Sequence, residues 1–219
     1  MCAIGNVGLS AQDTVTVKGH VFLVDDDSEI RSHLGDLLKQ LGYGVSDFAS
    51  GSLFLQQAQR CSPAVLVLDM RMPQMTGLDL QKSLHERDWR LPIIFMSGES
   101  KNQEIIDAMK LGAIDFLWKP FDYTQLVQVI DGALRLDVQR TNDQKRLVRV
   151  AALHQSLSPK EKDIINLILL GHGNKDIASA KSLMADTVKK HRAQIFEKMH
   201  VQSLAELVAL CKDFTPTQG

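Results

Sequence analysis

The sequence predicts a doubly wound α/β domain with five parallel strands between two layers of helices, followed by a small domain of four helices. Three observations lead to this fold class. Short, continuously apolar runs alternate with stretches of helical spacing over roughly the first two thirds of the chain. Such runs suit strands that are buried on both faces, and their alternation with helices is typical of a parallel sheet. After about residue 155 the apolar period is purely helical, and clear helix start and stop signals appear.

Five segments of the first domain are predicted as strands, and amphipathic helices are predicted between them. The weakest strand is the second, which is only partly apolar. A helix from about Tyr123 to Leu136 follows the fifth strand and closes the domain. The strand runs are Val21-Phe22-Leu23-Val24, Gly44-Val45-Ser46-Asp47-Phe48, Val65-Leu66-Val67-Leu68, Ile93-Ile94-Phe95-Met96 and Phe116-Leu117-Trp118. The helical stripes include Ile30, Leu34, Leu37, Leu38 and Leu41, then Leu78, Leu80 and Leu84, then Ile105, Ile106, Met109 and Leu111.

Capping signals place the four helices of the second domain. Ser158-Pro159-Lys160-Glu161 is a capping box with proline at the first helical position, and it opens a helix that runs to Leu170 and ends at Gly171. Asn174 is predicted to cap a second helix, and a third spans about Asp186 to Met199. Ser203-Leu204-Ala205-Glu206 forms the capping box of the last helix.

A chain of 219 residues has room for two modest domains. We expect them at residues 19–137 and 156–214, with a tail at residues 1–18 and another at 215–219. The segment 138–155 is polar and basic and contains neither Gly nor Pro, so it is predicted to be a linker that is partly helical.

Charge is distributed unevenly between the two halves of the chain. Residues 1–137 carry 12 basic and 18 acidic side chains, a net charge of −6, whereas residues 138–219 carry 13 and 8, a net charge of +5. This indicates either that the N-terminal part binds a cation and the C-terminal part binds a polyanion, or that both charges belong to ordinary solvated surface.

Cysteine usage and hydropathy both fit a cytoplasmic protein. The three cysteines, Cys2, Cys61 and Cys211, are far apart and form neither a disulfide framework nor a zinc-site spacing. No apolar run approaches the roughly 18 residues of a membrane-spanning helix, and the first residues lack the pattern of a signal peptide. We therefore expect no membrane partner.

Polar residues follow four of the predicted strands. In an open parallel sheet the carboxyl ends of the strands meet at one edge, and ligands bind near the point where the strand order reverses. Carboxylates gathered there repel one another unless a cation neutralises them, and oxygen ligands suit Mg²⁺. A neighbouring lysine can pair with such a carboxylate, which can in turn act as a nucleophile on phosphorus. The residues are Asp25, Asp26 and Asp27 after the first strand, Asp69 after the third, Ser97 at the end of the fourth, and Lys119 with Pro120 after the fifth.

Four ordered motifs resemble the receiver domains of response regulators, over roughly residues 19–137. The resemblance implies a flavodoxin-like fold. It also implies that a sensor histidine kinase phosphorylates the protein on Asp69 and that the protein is not an enzyme that turns over a substrate. The motifs are Val21-Phe22-Leu23-Val24-Asp25-Asp26-Asp27, Asp69-Met70-Arg71-Met72-Pro73-Gln74-Met75-Thr76-Gly77, Ser97-Gly98 and Lys119-Pro120-Phe121.

The resemblance also implies a ligand set and a nucleophile. Asp69 would attack a phosphohistidine of the kinase in line. Mg²⁺ would bind Asp26, Asp69 and the backbone carbonyl of Arg71, and Asp25 would hold a metal-bound water. Lys119 would stabilise the transferring charge, because such transfers depend on positioning and electrostatics. Asp27 has no role in that scheme, and the run of three aspartates also fits a helix N-terminus.

A switch is implied by the same resemblance. The Ser97 hydroxyl would bond a phosphoryl oxygen after transfer. Phe116 resembles the family's switch aromatic, which turns inward once the hydroxyl residue moves toward the phosphoryl group, although it equally fits a core aromatic in a strand. Trp118, on a predicted edge strand, fits either a dimer contact or packing against the last helix.

The predicted helix from about Asp186 to Met199 is basic. Val188, Ile195 and Met199 mark its inward stripe, and its cations lie largely off that stripe. Such a helix can enter the major groove of DNA, or it can simply present a solvated cationic face.

The motifs around this helix resemble the helix-turn-helix of NarL/FixJ-type regulators, a LuxR-type domain, over about residues 156–214. The resemblance makes this the recognition helix, with three side chains toward bases and four nearer phosphates. The motifs are Leu157-Ser158-Pro159-Lys160-Glu161, Gly171, Asn174-Lys175-Asp176-Ile177-Ala178, Thr187-Val188-Lys189-Lys190-His191 and Lys198-Met199. The base-facing positions are Lys189, Lys190 and Ala193, and the phosphate-facing positions are Thr187, Lys175, Arg192 and Lys198.

The chain departs from this family pattern at two positions. Lys181 stands where an apolar residue, usually Leu, is expected, and Met184 replaces the usual Ser cap of the recognition helix. Losing such a cap typically costs about 1 kcal/mol, and the lysine must reach out of the core or accompany a reshaped turn. Asp186 is available as an acidic first-turn residue.

Together these features predict a response regulator in which phosphorylation of Asp69 controls dimerisation and promoter binding. Its expected partners are a cognate kinase, promoter DNA, a second copy of the chain and RNA polymerase. Two alternatives stay open. One is a phosphohydrolase that uses Asp69 as nucleophile, although the Asp-x-Asp-x-Thr motif of that family is absent. The other keeps the receiver but makes the C-terminal helices a protein-docking module.

Overall fold

The computed structural model describes residues 17–212 and 214, which form two compact units divided between Gln139 and Arg140. Each unit contains a hydrophobic core of its own. Of the two predicted tails, only Val17 and Lys18 lie within the described residues, and Cys2 lies outside them. No helix of the described part is both long and apolar enough to cross a membrane.

A five-stranded parallel sheet in the order β2-β1-β3-β4-β5 forms the centre of the N-terminal unit. This confirms the predicted doubly wound fold, with the reversal of strand order between β1 and β3. The strands are β1 (His20–Val24), β2 (Gly44–Phe48), β3 (Ala64–Asp69), β4 (Ile93–Ser97) and β5 (Asp115–Trp118). The helices are α1 (Ser28–Gln40), α2 (Gly51–Gln57), α3 (Gly77–Glu86), α4 (Asn102–Lys110) and α5 (Tyr123–Gln155).

No helical stripe marks α2 in the sequence, because seven residues are too few to show one. Its local signals are nevertheless present. The Ser50 side chain accepts a hydrogen bond from the Leu53 N–H at 3.2 Å, which caps the helix. Phe54, fully buried, packs against Phe22, Phe48 and Trp89.

Alternate residues of each strand face opposite layers of the core, as the period of two requires. Phe22 and Leu66 pack in the layer that contains α2, α3 and Ala108 of α4. Val21 and Val65 pack in the layer that contains α1 and α5. Both faces of the central strands are therefore buried, which explains their continuous apolar runs.

The segment 138–155, predicted as a partly helical linker, is helical throughout in the structure, where it continues α5 to Gln155. Its composition explains the difference, since it lacks both helix breakers and consists largely of residues with good helix propensity. Val150, near the end of this segment, is fully buried in the core of the C-terminal unit.

Helices following α5 build the C-terminal unit: α6 (Pro159–Leu169), α7 (Asn174–Lys181), α8 (Ala185–Lys198) and α9 (Leu204–Cys211). The capping box at Ser158 and Glu161 is formed as predicted. The prediction for Asn174 was wrong, because Gly173 is the N-cap of α7 and its N–H donates to the Asp176 carboxylate at 3.1 Å. Ser203 caps α9, but the Glu206 carboxylate accepts from the N–H of Gln202 rather than from Ser203.

Glu161 is an acidic side chain buried in the C-terminal unit, with 3% of its surface exposed. Its carboxylate accepts hydrogen bonds from the Ser158 N–H and the Lys198 ammonium, both at 2.7 Å, so it fixes the start of α6 to the end of α8. Burial alone would raise the pKa of Glu161, but Lys198 and Ser158 outweigh burial and hold the pKa below its usual range.

Glu161→Gln is expected to lower the free energy of unfolding of the C-terminal unit at neutral pH by about 1–2 kcal/mol, since Lys198 is partly exposed. A carboxyl group with a lowered folded-state pKa stabilises above its unfolded pKa, and that stability is lost as pH falls through the folded pKa. The deficit of the variant should therefore shrink at acidic pH. Amide hydrogen exchange of α6 and α8 in the full chain measures it. The exposed neighbour Glu197→Gln is the control, and an equal deficit there would contradict the assignment.

Candidate functional site

Two buried carboxylates and one ammonium group meet at the carboxyl edge of the sheet. Asp25, directly after β1, and Asp69, the last residue of β3, are 1% and 7% exposed. Lys119 Nζ lies between them, 2.8 Å from Asp25 Oδ2 and 2.6 Å from Asp69 Oδ1. The three side chains come from the strand pair at the reversal of strand order and from the edge strand β5, so the expected convergence is present.

Backbone N–H groups fix the orientation of both carboxylates. The Arg71 N–H donates to Asp69 Oδ2 at 2.7 Å, and the Asp27 N–H donates to Asp25 Oδ1 at 2.9 Å. One oxygen of each carboxylate is therefore held by the backbone and the other by Lys119.

The same contacts set the protonation of the site. Burial raises the pKa of Asp69, and the nearby Asp25 carboxylate raises it further, while the Lys119 ammonium and the Arg71 N–H act in the opposite direction. Burial would lower the pKa of Lys119, but the hydrogen bonds and charges of Asp25 and Asp69 outweigh it and raise that pKa. Lys119 is therefore a cation at neutral pH.

Glycine is required where α3 begins. A Cβ at Gly77 would collide with the backbone carbonyl oxygen of Asp69 and would lie 2.9 Å from the ring of Phe95. The Gly77 N–H donates to the Met70 carbonyl at 3.0 Å, which closes the loop after Asp69. Thr76 caps the helix through a full capping box with Asp79.

The other two aspartates of the predicted cluster point to different roles. Asp26 is exposed at the same edge. Asp27 is the N-cap of α1, and its Oδ1 accepts from the N–H groups of Glu29 and Ile30 at 2.8 and 3.2 Å. Within residues 17–212 and 214, no three acidic, His or Cys side chains gather into a metal-binding group.

The predicted switch residues lie on adjacent strands: Ser97 is the last residue of β4, and Phe116 lies within β5, opposite Phe95. Ser97 is 2% exposed, and its hydroxyl donates to the Glu99 carbonyl at 2.9 Å and accepts from the Ser100 hydroxyl at 2.8 Å. Phe116 is half-buried and meets Trp118 edge to face, with ring centroids 5.0 Å apart. Trp118 is 50% exposed.

Sequence reasoning missed two residues in the segment that follows Ser97. Ser100 contacts the switch hydroxyl directly, and Glu104 accepts from the Lys101 N–H at 2.9 Å and pairs with Arg71 at 3.6 Å. Glu104 follows Lys101 by three residues, but a lysine at the N-cap is not the capping-box signature, so its contact with the Lys101 N–H has no clear sequence signal. The hydroxyl contact of Ser100 depends on the course of a loop and has none.

In the C-terminal unit, α7 and α8 carry the residues predicted to contact DNA. Lys189, Lys190 and Ala193 are exposed on α8, and Lys175 is exposed on α7. Thr187 and Arg192 are half-buried, and the Arg192 guanidinium lies over the Phe196 ring at 5.8 Å. Lys189 pairs with Asp186 at 3.2 Å, and Lys198 is held by Glu161.

The structure accommodates the two departures from the family pattern. The Lys181 ammonium reaches Asp163 of α6 at 2.6 Å, so the lysine forms an ion pair at the surface. Ser182, in the left-handed region at φ 54°, ends α7. Met184 is the N-cap of α8 without a side-chain hydrogen bond and is 76% exposed.

Comparison with known proteins agrees with this architecture. The family described as "Response regulator receiver domain" matches residues 21–131, and "Bacterial regulatory proteins, luxR family" matches residues 155–211. The response regulator protein TodT of Pseudomonas putida is 37% identical over 188 residues, which are 86% of this chain and 83% of TodT. The transcriptional regulatory protein FixJ of Bradyrhizobium diazoefficiens is 35% identical over 196 residues, which are 90% of this chain and 96% of FixJ.

A solved structure, that of the response regulator StyR, has a TM-score of 0.77 and 37% identity, and the match covers 90% of this chain and 99% of StyR. A receiver domain followed by a LuxR-type domain defines a class, the transcriptional response regulators of two-component systems. The chain belongs to this family and is of the NarL/FixJ type.

Lys119→Met is expected to raise the pKa of Asp69, because the ammonium that favours its charged form is removed while burial and the Asp25 charge remain. The measurement is a carbon-13 NMR titration of the Asp69 carboxyl group in the full chain. Lys101→Met, an exposed lysine outside the pair, is the matched control. If the titration of Asp69 is the same in the Lys119 variant as in the parent, the ion pair does not set its pKa.

Proposed function

We propose that a sensor histidine kinase phosphorylates this protein on Asp69 and that the phosphorylated form dimerises and binds promoter DNA to regulate transcription. The observation that carries the proposal is the placement of Lys119 Nζ between Asp25 and Asp69 at the reversal of strand order. A buried carboxylate beside a fixed cation is suited to receive a phosphoryl group.

The transfer follows from the contacts of Asp69. One carboxylate oxygen attacks the phosphorus of the kinase's phosphohistidine, a P–O bond forms, and the P–N bond breaks with its electron pair passing to the histidine nitrogen. The Arg71 N–H holds the other oxygen, so the nucleophile is oriented before attack. Lys119 stays beside the charge that moves onto the new acyl phosphate.

The donors at this edge fit Mg²⁺, because they are carboxylate and carbonyl oxygens with exposed Asp26 open to solvent. Asp25, Asp26, Asp69 and the backbone carbonyl of Arg71 would supply the oxygens. When bound, the ion would neutralise charge on the transferring phosphoryl group. Three carboxylates and a single lysine formally leave two negative charges for such a cation to balance.

Turnover of small phosphate esters is the competing chemistry. Arg71 stands where the second acid of the phosphohydrolase motif is required, and its side chain pairs with Glu104. The matched relatives are response regulators. We therefore propose that the acyl phosphate on Asp69 is lost to water by autodephosphorylation and that the protein is not a turnover enzyme.

Incubation of the full chain with Mg²⁺ and acetyl phosphate should add one phosphoryl group, which intact mass spectrometry detects. Asp69→Ala should abolish the addition, since the nucleophile is gone. Asp88→Asn is a matched control: Asp88 is exposed and has φ 47°, which asparagine tolerates. Addition of a phosphoryl group to Asp69→Ala, or steady ester turnover by the parent, would contradict the proposal.

Exposed apolar side chains near the switch support dimerisation on phosphorylation. Trp118 on β5 and Ile106 and Met109 on the preceding α4 are 50%, 46% and 44% exposed. Exposed aromatic and methionine side chains are enriched at protein interfaces. Phe116, in contact with Trp118, is the residue through which movement of Ser97 would reach this surface.

The exposed face of α8 supports DNA binding by the LuxR-type domain. We propose that Lys189, Lys190 and Ala193 face bases. The proposed phosphate contacts are Thr187, Lys175, Arg192 and Lys198, whose ammonium group donates one of its three N–H groups to Glu161. Two such small domains reading two half-sites would require the dimer. A regulator of this kind acts on promoters, so we propose a cytoplasmic location and contact with RNA polymerase.

Lys190→Ala should weaken binding of the phosphorylated full chain to its preferred duplex by about 1–3 kcal/mol, because a base contact is lost. The duplex is selected from a random-sequence pool and its affinity measured by fluorescence anisotropy over a range of salt concentrations. Lys39→Ala, an exposed lysine of α1, should bind as the parent does.

Binding that does not weaken as salt rises, or no binding at all, would favour the protein-docking alternative for the C-terminal helices. Equal affinity and equal dimerisation of the phosphorylated and unphosphorylated forms would contradict phosphorylation control.

A further inference from the structure

The hydroxyl group of Ser97 is fully engaged within the loop between β4 and α4. It donates its one proton to the Glu99 carbonyl at 2.9 Å and accepts the proton of the Ser100 hydroxyl at 2.8 Å. No hydrogen bond joins this hydroxyl to Asp69 among the contacts of the described residues. The group predicted to bond the phosphoryl group is therefore committed elsewhere.

A hydroxyl group has one proton to donate, and phosphoryl oxygens act only as acceptors. To bond a phosphoryl group on Asp69, Ser97 must therefore withdraw its proton from the Glu99 carbonyl. Ser100 opposes that movement, because its donated hydrogen bond requires Ser97 Oγ to stay in its present position.

The loop that carries Ser100 is itself anchored. The Lys101 N–H donates to Glu104 at 2.9 Å, which fixes the start of α4. Glu104 also pairs with Arg71 at 3.6 Å, which links α4 to the loop that follows Asp69. Ser100 therefore acts on Ser97 from a held position.

We propose that Ser100 is a positioning residue of the switch: its hydroxyl holds the Ser97 hydroxyl on the Glu99 carbonyl and so stabilises the unphosphorylated conformation. The inference rests on the proposed phosphorylation of Asp69. It adds a residue that sets how readily the protein switches. The apparent affinity of a ligand that binds only the switched conformation is reduced in proportion to the fraction of molecules in that conformation.

Ser100→Ala removes the donated hydrogen bond and leaves Ser97 and Glu99 intact. Ser100→Thr keeps a hydroxyl group at the same position and is the matched variant. The probe is beryllofluoride with Mg²⁺, a non-covalent stand-in for the phosphoryl group, titrated into the full chain by isothermal calorimetry. We expect Ser100→Ala to bind it about 3- to 10-fold more tightly than the parent, as a net hydrogen bond implies, and Ser100→Thr to bind it as the parent does.

A double-mutant cycle separates positioning from a general effect on the loop. When Ser97 is already alanine, Ser100 has no switch hydroxyl to hold, so Ser97→Ala and the double variant Ser97→Ala, Ser100→Ala should bind beryllofluoride equally. Equal affinity of Ser100→Ala and the parent would overturn the inference, and so would a full effect of Ser100→Ala in the Ser97→Ala background. A parent that neither binds beryllofluoride nor accepts a phosphoryl group from acetyl phosphate would overturn the proposed function itself.

Discussion

Lys119 connects the parts of the receiver site more directly than any other residue described here. Its ammonium group reaches Asp25 and Asp69, and its backbone N–H donates to the carbonyl of Ser97 at 2.8 Å. Two carboxylates so poorly exposed would be costly without a counter-charge, since removing an ion from water costs several kcal/mol. One residue directly after the edge strand therefore holds the side chains of Asp25 and Asp69 and the backbone at the end of β4, and Asp69 depends on it for both charge balance and position.

The outline of this site follows from sequence because it depends on topology. Parallel strands end at the same edge, so Asp25, Asp69, Ser97 and Lys119 converge whatever the details of the loops. Only the family resemblance separated Asp26 from Asp27; the residue pattern alone did not, because local backbone geometry decides which of two adjacent carboxylates caps the helix and which faces solvent. The hydrogen-bond partners of the Ser97 hydroxyl could not be predicted from sequence either, because contacts within a loop follow no periodic pattern.

The C-terminal unit shows the same limit. Its helices were predictable from apolar period and capping residues, and Ser158 and Glu161 form the expected box. The N-cap of α7 was not predictable. Both glycine and asparagine are found at N-caps, and the hydrogen bond from the Gly173 N–H to Asp176 selects Gly173 over Asn174. Lys181 was unexpected for a related reason: its partner, Asp163, is 18 residues away on another helix, so no local pattern pairs them.

Internal pairing of lysines changes what the C-terminal unit offers to a polyanion. Lys181, Lys189 and Lys198 hold Asp163, Asp186 and Glu161 at 2.6, 3.2 and 2.7 Å, respectively. DNA affinity grows with the number of counterions that protein cations displace from the phosphates, and a lysine already neutralised by its own chain displaces fewer. The net charge of +5 already includes these three acids, so the pairs do not change it; they reduce the number of lysines that can contact a phosphate without sharing their charge with a carboxylate. In the proposed DNA complex, base contacts and the second copy would therefore have to supply a larger share of the affinity, which would favour the correct site over the rest of the genome.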